Sequence, residues 1–79
     1  MHPPAFDFKP VAGAKEYRFT LTAETPAGMR INWTEAQPWA TLDAKLWDGL
    51  QPGYYTVKVE GFAADGRNLG VSGERTFYR

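Results

Sequence analysis

Hydrophobic and polar residues alternate with a period of two along most of the chain. Phe6 and Phe8 face away from Asp7 and Lys9. Tyr17, Phe19, Leu21 and Ala23 share one side, with Glu16, Arg18, Thr20 and Thr22 on the other. Met29, Ile31 and Trp33 alternate with Arg30, Asn32 and Thr34, and Tyr55, Val57 and Val59 with Tyr54, Thr56, Lys58 and Glu60. Successive side chains of a β-strand point to opposite faces, so this is the pattern of half-buried strands. The segment Glu74 to Arg79 reads as a closing strand. The pattern therefore predicts an all-β chain whose core is built from Tyr17, Phe19, Leu21, Leu50, Tyr55, Val57, Val59 and Phe77.

Glycine and proline punctuate these runs at Pro10-Val11-Ala12-Gly13, Pro26-Ala27-Gly28, Pro52-Gly53, Asp65-Gly66 and Gly70-Val71-Ser72-Gly73. Short pieces between such signals suggest a sandwich or barrel. Ala64-Asp65-Gly66-Arg67 marks a tight turn, because Asp and Gly tolerate the positive φ that hairpins need. Trp39 to Leu50 fits two periods: Trp39, Leu42, Leu46 and Leu50 a helix, Ala40, Leu42, Ala44 and Leu46 a strand. Asp48-Gly49 and Pro52 end it, and the reading is a short strand followed by a helical turn near Asp43 to Asp48.

Composition narrows the picture. Seventy-nine residues make one domain, 1–79, expected to be a fragment of a longer multidomain protein. A chain of this size buries only about 60% of its unfolded surface. Without cysteine it must hold by packing, and 43% hydrophobic residues, including three Trp, four Tyr and five Phe, supply the material. Nine basic and nine acidic residues cancel. The halves on either side of Ala40 are each neutral too, so no basic stripe suits a nucleic acid. No apolar run nears the roughly 18 residues of a membrane span, and Met1-His2-Pro3-Pro4 lacks the apolar stretch of a signal peptide.

Candidate chemistry is sparse. His2 is the only histidine and Ser72, in the Gly70–Gly73 segment expected to be a loop, the only serine. With no cysteine there is no triad to assemble and no zinc-type ligand set, so no catalytic, metal or cofactor residue is assigned. Asp43, Asp48, Asp65, Glu24, Glu35 and Glu60 show no spacing that singles out a carboxylate pair. Asp65-Gly66-Arg67-Asn68 offers too few oxygens for calcium, which takes 6–8, and is read as the turn. Asn32-Trp33-Thr34 matches a glycosylation triplet and is read as chance.

Leu50-Gln51-Pro52-Gly53-Tyr54-Tyr55-Thr56-Val57-Lys58-Val59-Glu60-Gly61, followed by Asp65-Gly66, resembles the end of strand E and strand F of fibronectin type III-like domains. Phe6 to Tyr17, with its proline-containing loop and Gly13-Ala14-Lys15-Glu16-Tyr17, is similar to the family's strand A and the start of strand B. Gly70-Val71-Ser72-Gly73 to Phe77 resembles strand G, while Glu24 to Leu46 matches poorly and Trp33 stands where a strand C tryptophan is looked for. The resemblance covers about two-thirds of the chain. It implies a seven-stranded antiparallel Greek-key β-sandwich, with Tyr55 reaching back to the preceding loop as a tyrosine corner. The variant is closest to modules that accompany large bacterial polysaccharide-acting enzymes. It implies a non-catalytic accessory module, secreted or at the cell surface, that spaces or braces a neighbouring domain of the same chain.

The aromatics supply the candidate surface. Trp33 is expected between the sheets and Trp39 near one end. Trp47 is expected to be exposed, since Leu46 and Leu50 compete for the interior, and its loss to leave the domain folded. Tyr54 and Tyr78 point outward. Trp39, Trp47, Tyr54 and Tyr78 thus form the possible interaction surface. Two alternatives stay open: a carbohydrate-binding module using Trp39, Trp47 and Tyr54 against polysaccharide, and a protein–protein adhesion module.

Overall fold

A computed structural model of the chain describes residues 3–24 and 28–79. The expectations for Met1-His2 and for the turn at Pro26-Ala27 lie outside the described residues. The chain is mostly β, in two antiparallel sheets. Its elements are β1 (Ala5–Asp7), β2 (Glu16–Ala23), β3 (Arg30–Glu35), β4 (Trp39–Thr41), α1 (Ala44–Gly49), β5 (Tyr54–Phe62) and β6 (Asn68–Tyr78). β1 and β4 form a two-stranded sheet, and the larger sheet has the order β3-β2-β5-β6. Six strands are present among the described residues, not the seven expected.

The alternation reads directly into the core. Tyr17, Phe19 and Leu21 of β2 and Tyr55, Val57 and Val59 of β5 are all buried on the inner face of the large sheet. Phe19 pairs with Val59 and Leu21 with Val57, so the two apolar rows sit side by side. Phe6 of β1, together with Leu42, Trp47 and Leu50, covers them from the other layer. Phe77 lies on the same inner face and is half-buried rather than buried; it joins the layers through Phe6, 5.6 Å between ring centres, and Trp47, 6.1 Å.

The ambiguous middle resolves as a strand and then a single helical turn. Asp43 caps α1 by accepting a 3.1 Å bond from the Leu46 amide. Such capping satisfies a donor that a helix start leaves free. The Gly70–Gly73 segment is a correction. It is part of β6 and not a loop, and Ser72 lies in the strand, where its hydroxyl donates to the Lys9 carbonyl. Glycine signals a bulge here instead of a break: Gly70 takes φ +119°, and the β5–β6 register shifts at Val59/Glu60 and at Gly61/Phe62. At Gly73 the missing side chain has a second use, because the Phe8 ring occupies the space a Cβ would need. The Asp65-Gly66 turn forms as read, with Gly66 at φ +87° and the Arg67 amide donating to Asp65 Oδ1 at 3.0 Å.

The corner before β5 is tied by Tyr55, whose hydroxyl donates a 2.6 Å bond to the Gln51 carbonyl. Tyr17 does the converse at the other end, its hydroxyl accepting from the Val11 amide at 3.0 Å. The bond is only part-buried and Gln51 is exposed, so Tyr55→Phe is expected to lose about 0.5–1.5 kcal/mol, the net worth of one hydrogen bond. Tyr54, at 59% exposure, makes no such bond, and Tyr54→Phe is expected to change little. Denaturant melts of the two variants check this; equal losses would mean that the two tyrosines face the same way.

Candidate interaction surfaces

The four aromatics singled out in the sequence do not form one surface. Tyr54 and Tyr78 come together. They are cross-strand partners at the end of the β5–β6 ladder, on the outer face of the large sheet, 59% and 60% exposed. Their ring centres are 4.9 Å apart with planes at 73°, an edge-to-face pair. Beside them Thr56 and Thr76 share a 3.1 Å hydroxyl bond, and Lys58 and Glu74 pair in the next rung but one. The face is thus two rings beside a polar surface carrying both charge signs.

Trp39 is half-exposed and sits on β4 opposite Asp7 of β1. Its side of the small sheet is the one turned away from the core that Ala40 and Leu42 face. It therefore lies on the opposite side of the molecule from the tyrosine pair. Trp47 corrects the sequence reading outright, being 3% exposed and part of the core. The indole packs on Phe77, and the Arg79 guanidinium lies over it, 4.5 Å from the ring centre. Arg79 Nε also donates to the Trp47 carbonyl at 2.9 Å. In one helical turn, positions three and four before Leu50 face it equally well. Trp47 has more apolar area to bury than Leu46, and Leu46 moves to the flank.

That flank bounds a feature the sequence reading missed. Between the inner face of β3 and the β4–α1 segment runs an apolar groove of about 240 Å³, lined by Ile31, Trp33, Glu35, Thr41, Leu42, Asp43 and Leu46. Trp33 was expected between the sheets, yet it is only half-buried, stacked on Phe19 at 5.3 Å and 16°. Its indole N–H donates to Glu35 Oε2 at 3.1 Å. The signal was available: Glu35 follows Trp33 by two residues on the same face, and an acid there marks where burial ends.

Among the described residues no three His, Cys, Asp or Glu side chains gather to hold a metal ion. No described helix is long and apolar enough to cross a membrane. No family model, curated protein or solved structure matches the chain.

Proposed function

We propose that the chain is a fibronectin type III-like accessory module of a larger extracytoplasmic protein, non-catalytic, that braces a neighbouring domain of the same chain. Support for the fold comes from the order of strands. In an immunoglobulin-type sandwich strand F lies between C and G, while B and E belong to the opposite sheet. Taking β5 as F gives β6 as G, β2 as C and β3 as C′, with β1 and β4 as B and E. This is a Greek-key arrangement with strand A unmatched. On this reading the Gly13-Ala14 to Tyr17 segment leads into strand C, and not into strand B as its resemblance suggests. The Tyr55 hydroxyl bond to the carbonyl four residues upstream is what a tyrosine corner at the start of strand F requires.

For the function, the carrying observation is the tyrosine pair. Two exposed rings beside a face of mixed charge suit a contact between domains, an apolar spot with a polar rim. Sugar stacking wants coplanar rings, and Tyr54 and Tyr78 stand at 73°. Burial of Trp47 and the opposite placement of Trp39 also separate the three rings that a carbohydrate-binding module would use.

The double change Tyr54→Ser with Tyr78→Ser tests this. A cross-strand pair is worth about 0.2–1 kcal/mol, so the isolated domain is expected to stay folded. In the longer protein the same change is expected to lower the melting temperature of the neighbouring domain. Calorimetric titration of the wild type against a polysaccharide panel runs beside it. Micromolar binding that the double change abolishes, with an unaltered melt of the longer protein, would transfer the assignment to the carbohydrate module.

A further inference from the structure

We propose that β3 is a self-complementary edge through which two copies of this chain pair, antiparallel about a two-fold axis at Asn32, joining their large sheets into one. This goes beyond the accessory reading and does not depend on it.

The phase of the ladder carries the first step. Ala23 N donates to the Met29 carbonyl at 2.9 Å, which sets the hydrogen-bonding phase of the β2–β3 ladder at this position. Alternation then makes Leu21/Ile31, Phe19/Trp33 and Tyr17/Glu35 bond-exchanging pairs. The N–H and C=O groups of Arg30, Asn32 and Thr34 therefore point away from β2. All three residues are exposed, and β3 pairs with no other strand among the described residues.

The other edges are not equivalent. β1 and β4 are three residues each. β6 is broken by two register shifts and by Gly70. On its inner side Phe8 sits over Gly73, and Arg75 reaches the Ala5 carbonyl at 3.3 Å. Bulges, brevity and covering chain are the usual protections of a sheet edge. β3 has six residues, with no register shift, proline or lysine, and its two charges, Arg30 and Glu35, stand at its ends and leave Ile31 to Thr34 uncharged. Among the described residues it is the one regular open edge of the large sheet.

The sequence of β3 then selects its own partner. With Asn32 on the axis, Asn32 faces the second copy's Asn32, and Arg30 faces the second copy's Thr34. Each facing pair exchanges two backbone bonds, about six in all. The inner side chains match too. Ile31 faces the second copy's Trp33 across a close pair, and aromatic with β-branched is a favourable cross-strand combination. No like charges meet. The two half-buried indoles and the two apolar grooves beside them become contiguous, which covers surface that one copy leaves open. A slip of two residues in either direction leaves Arg30 or Thr34 facing no β3 residue.

Light scattering over a dilution series, with the 79-residue chain, tests the proposal. The wild type is expected to pass from about twice the 8.9 kDa monomer mass to that mass on dilution. Asn32→Lys sets two positive charges against each other on the axis and is expected to hold the chain monomeric where the wild type is dimeric. Thr34→Glu faces the second copy's Arg30 twice and is expected to tighten pairing by roughly 2- to 30-fold, and Thr34→Lys to weaken it comparably. None of these positions bonds β2 through its backbone, and circular dichroism melts check that each variant folds. A wild type that stays monomeric at its highest soluble concentration overturns the proposal and leaves the edge to a strand of different sequence. Thr34→Glu and Thr34→Lys shifting the equilibrium the same way overturns it as well.

Discussion

Phe19→Ala is expected to cost about 3–5 kcal/mol, the range for emptying a fully buried phenylalanine site. Phe19 has no exposed surface and sits at the centre of the large sheet, between Val59 on β5 and Trp33 on β3. The Trp33 indole stacks on its ring, so the change removes the floor of the groove as well as the middle of the core. Neighbours cannot readily close the gap, because Val59 and Leu21 are fixed in register on either side. Domains in general hold only about 5–15 kcal/mol, and one this short stands toward the lower end. The variant is therefore expected to be largely unfolded at body temperature. A thermal melt overlaying that of the wild type would mean that β2 does not present Phe19 to the core.

Phe19 was legible in the sequence because β2 and β5 alternate without interruption and one face of each has to be buried. The same holds for the Asp65-Gly66 turn and for Tyr55, where a local signal and a tertiary role coincide. What the alternation could not convey is the partner of each strand. β2 lies between β3 and β5 in the large sheet, while β1, the strand before it, pairs with β4 in the small one. Pairing depends on contacts far apart in sequence, and periodicity reports only which face is inward. The Gly70–Gly73 segment misled for a related reason. Glycine serves a bulge as well as a turn, and only the pairing with β5 distinguishes them.

The surface was less legible than the core. Tyr54 and Tyr78 were readable as outward-facing, since each flanks an inward neighbour in a regular strand. Their edge-to-face pairing was not, because it follows from the β5–β6 register. Trp33 was misjudged in the other direction. Its face is inward, but β3 is an edge strand, and an inward side chain at an edge is covered on one flank only. The groove beside it, and the free backbone groups of Arg30, Asn32 and Thr34, arise from that single topological fact.

Trp47→Ala is expected to cost about 3–5 kcal/mol as well, the usual range for a buried Trp or Phe reduced to Ala. The helical turn α1 has six residues, too few to be stable alone. It persists because Trp47 and Leu50 anchor it, with Asp43 capping one end and Leu50 N closing the other onto the Trp47 carbonyl at 3.2 Å. Removing the indole takes away the main anchor and also the ring beneath Arg79. Arg79 would keep only its bonds to the Trp47 and Gly53 carbonyls, both backbone. Loss should spread to the end of β6, where Phe77 packs on Trp47, and from there to the Tyr54–Tyr78 pair one rung away. Trp47→Phe preserves an aromatic anchor and is expected to recover more than half of the loss. Paired melts of the two variants decide the matter: an Ala variant as stable as the wild type would return Trp47 to the surface.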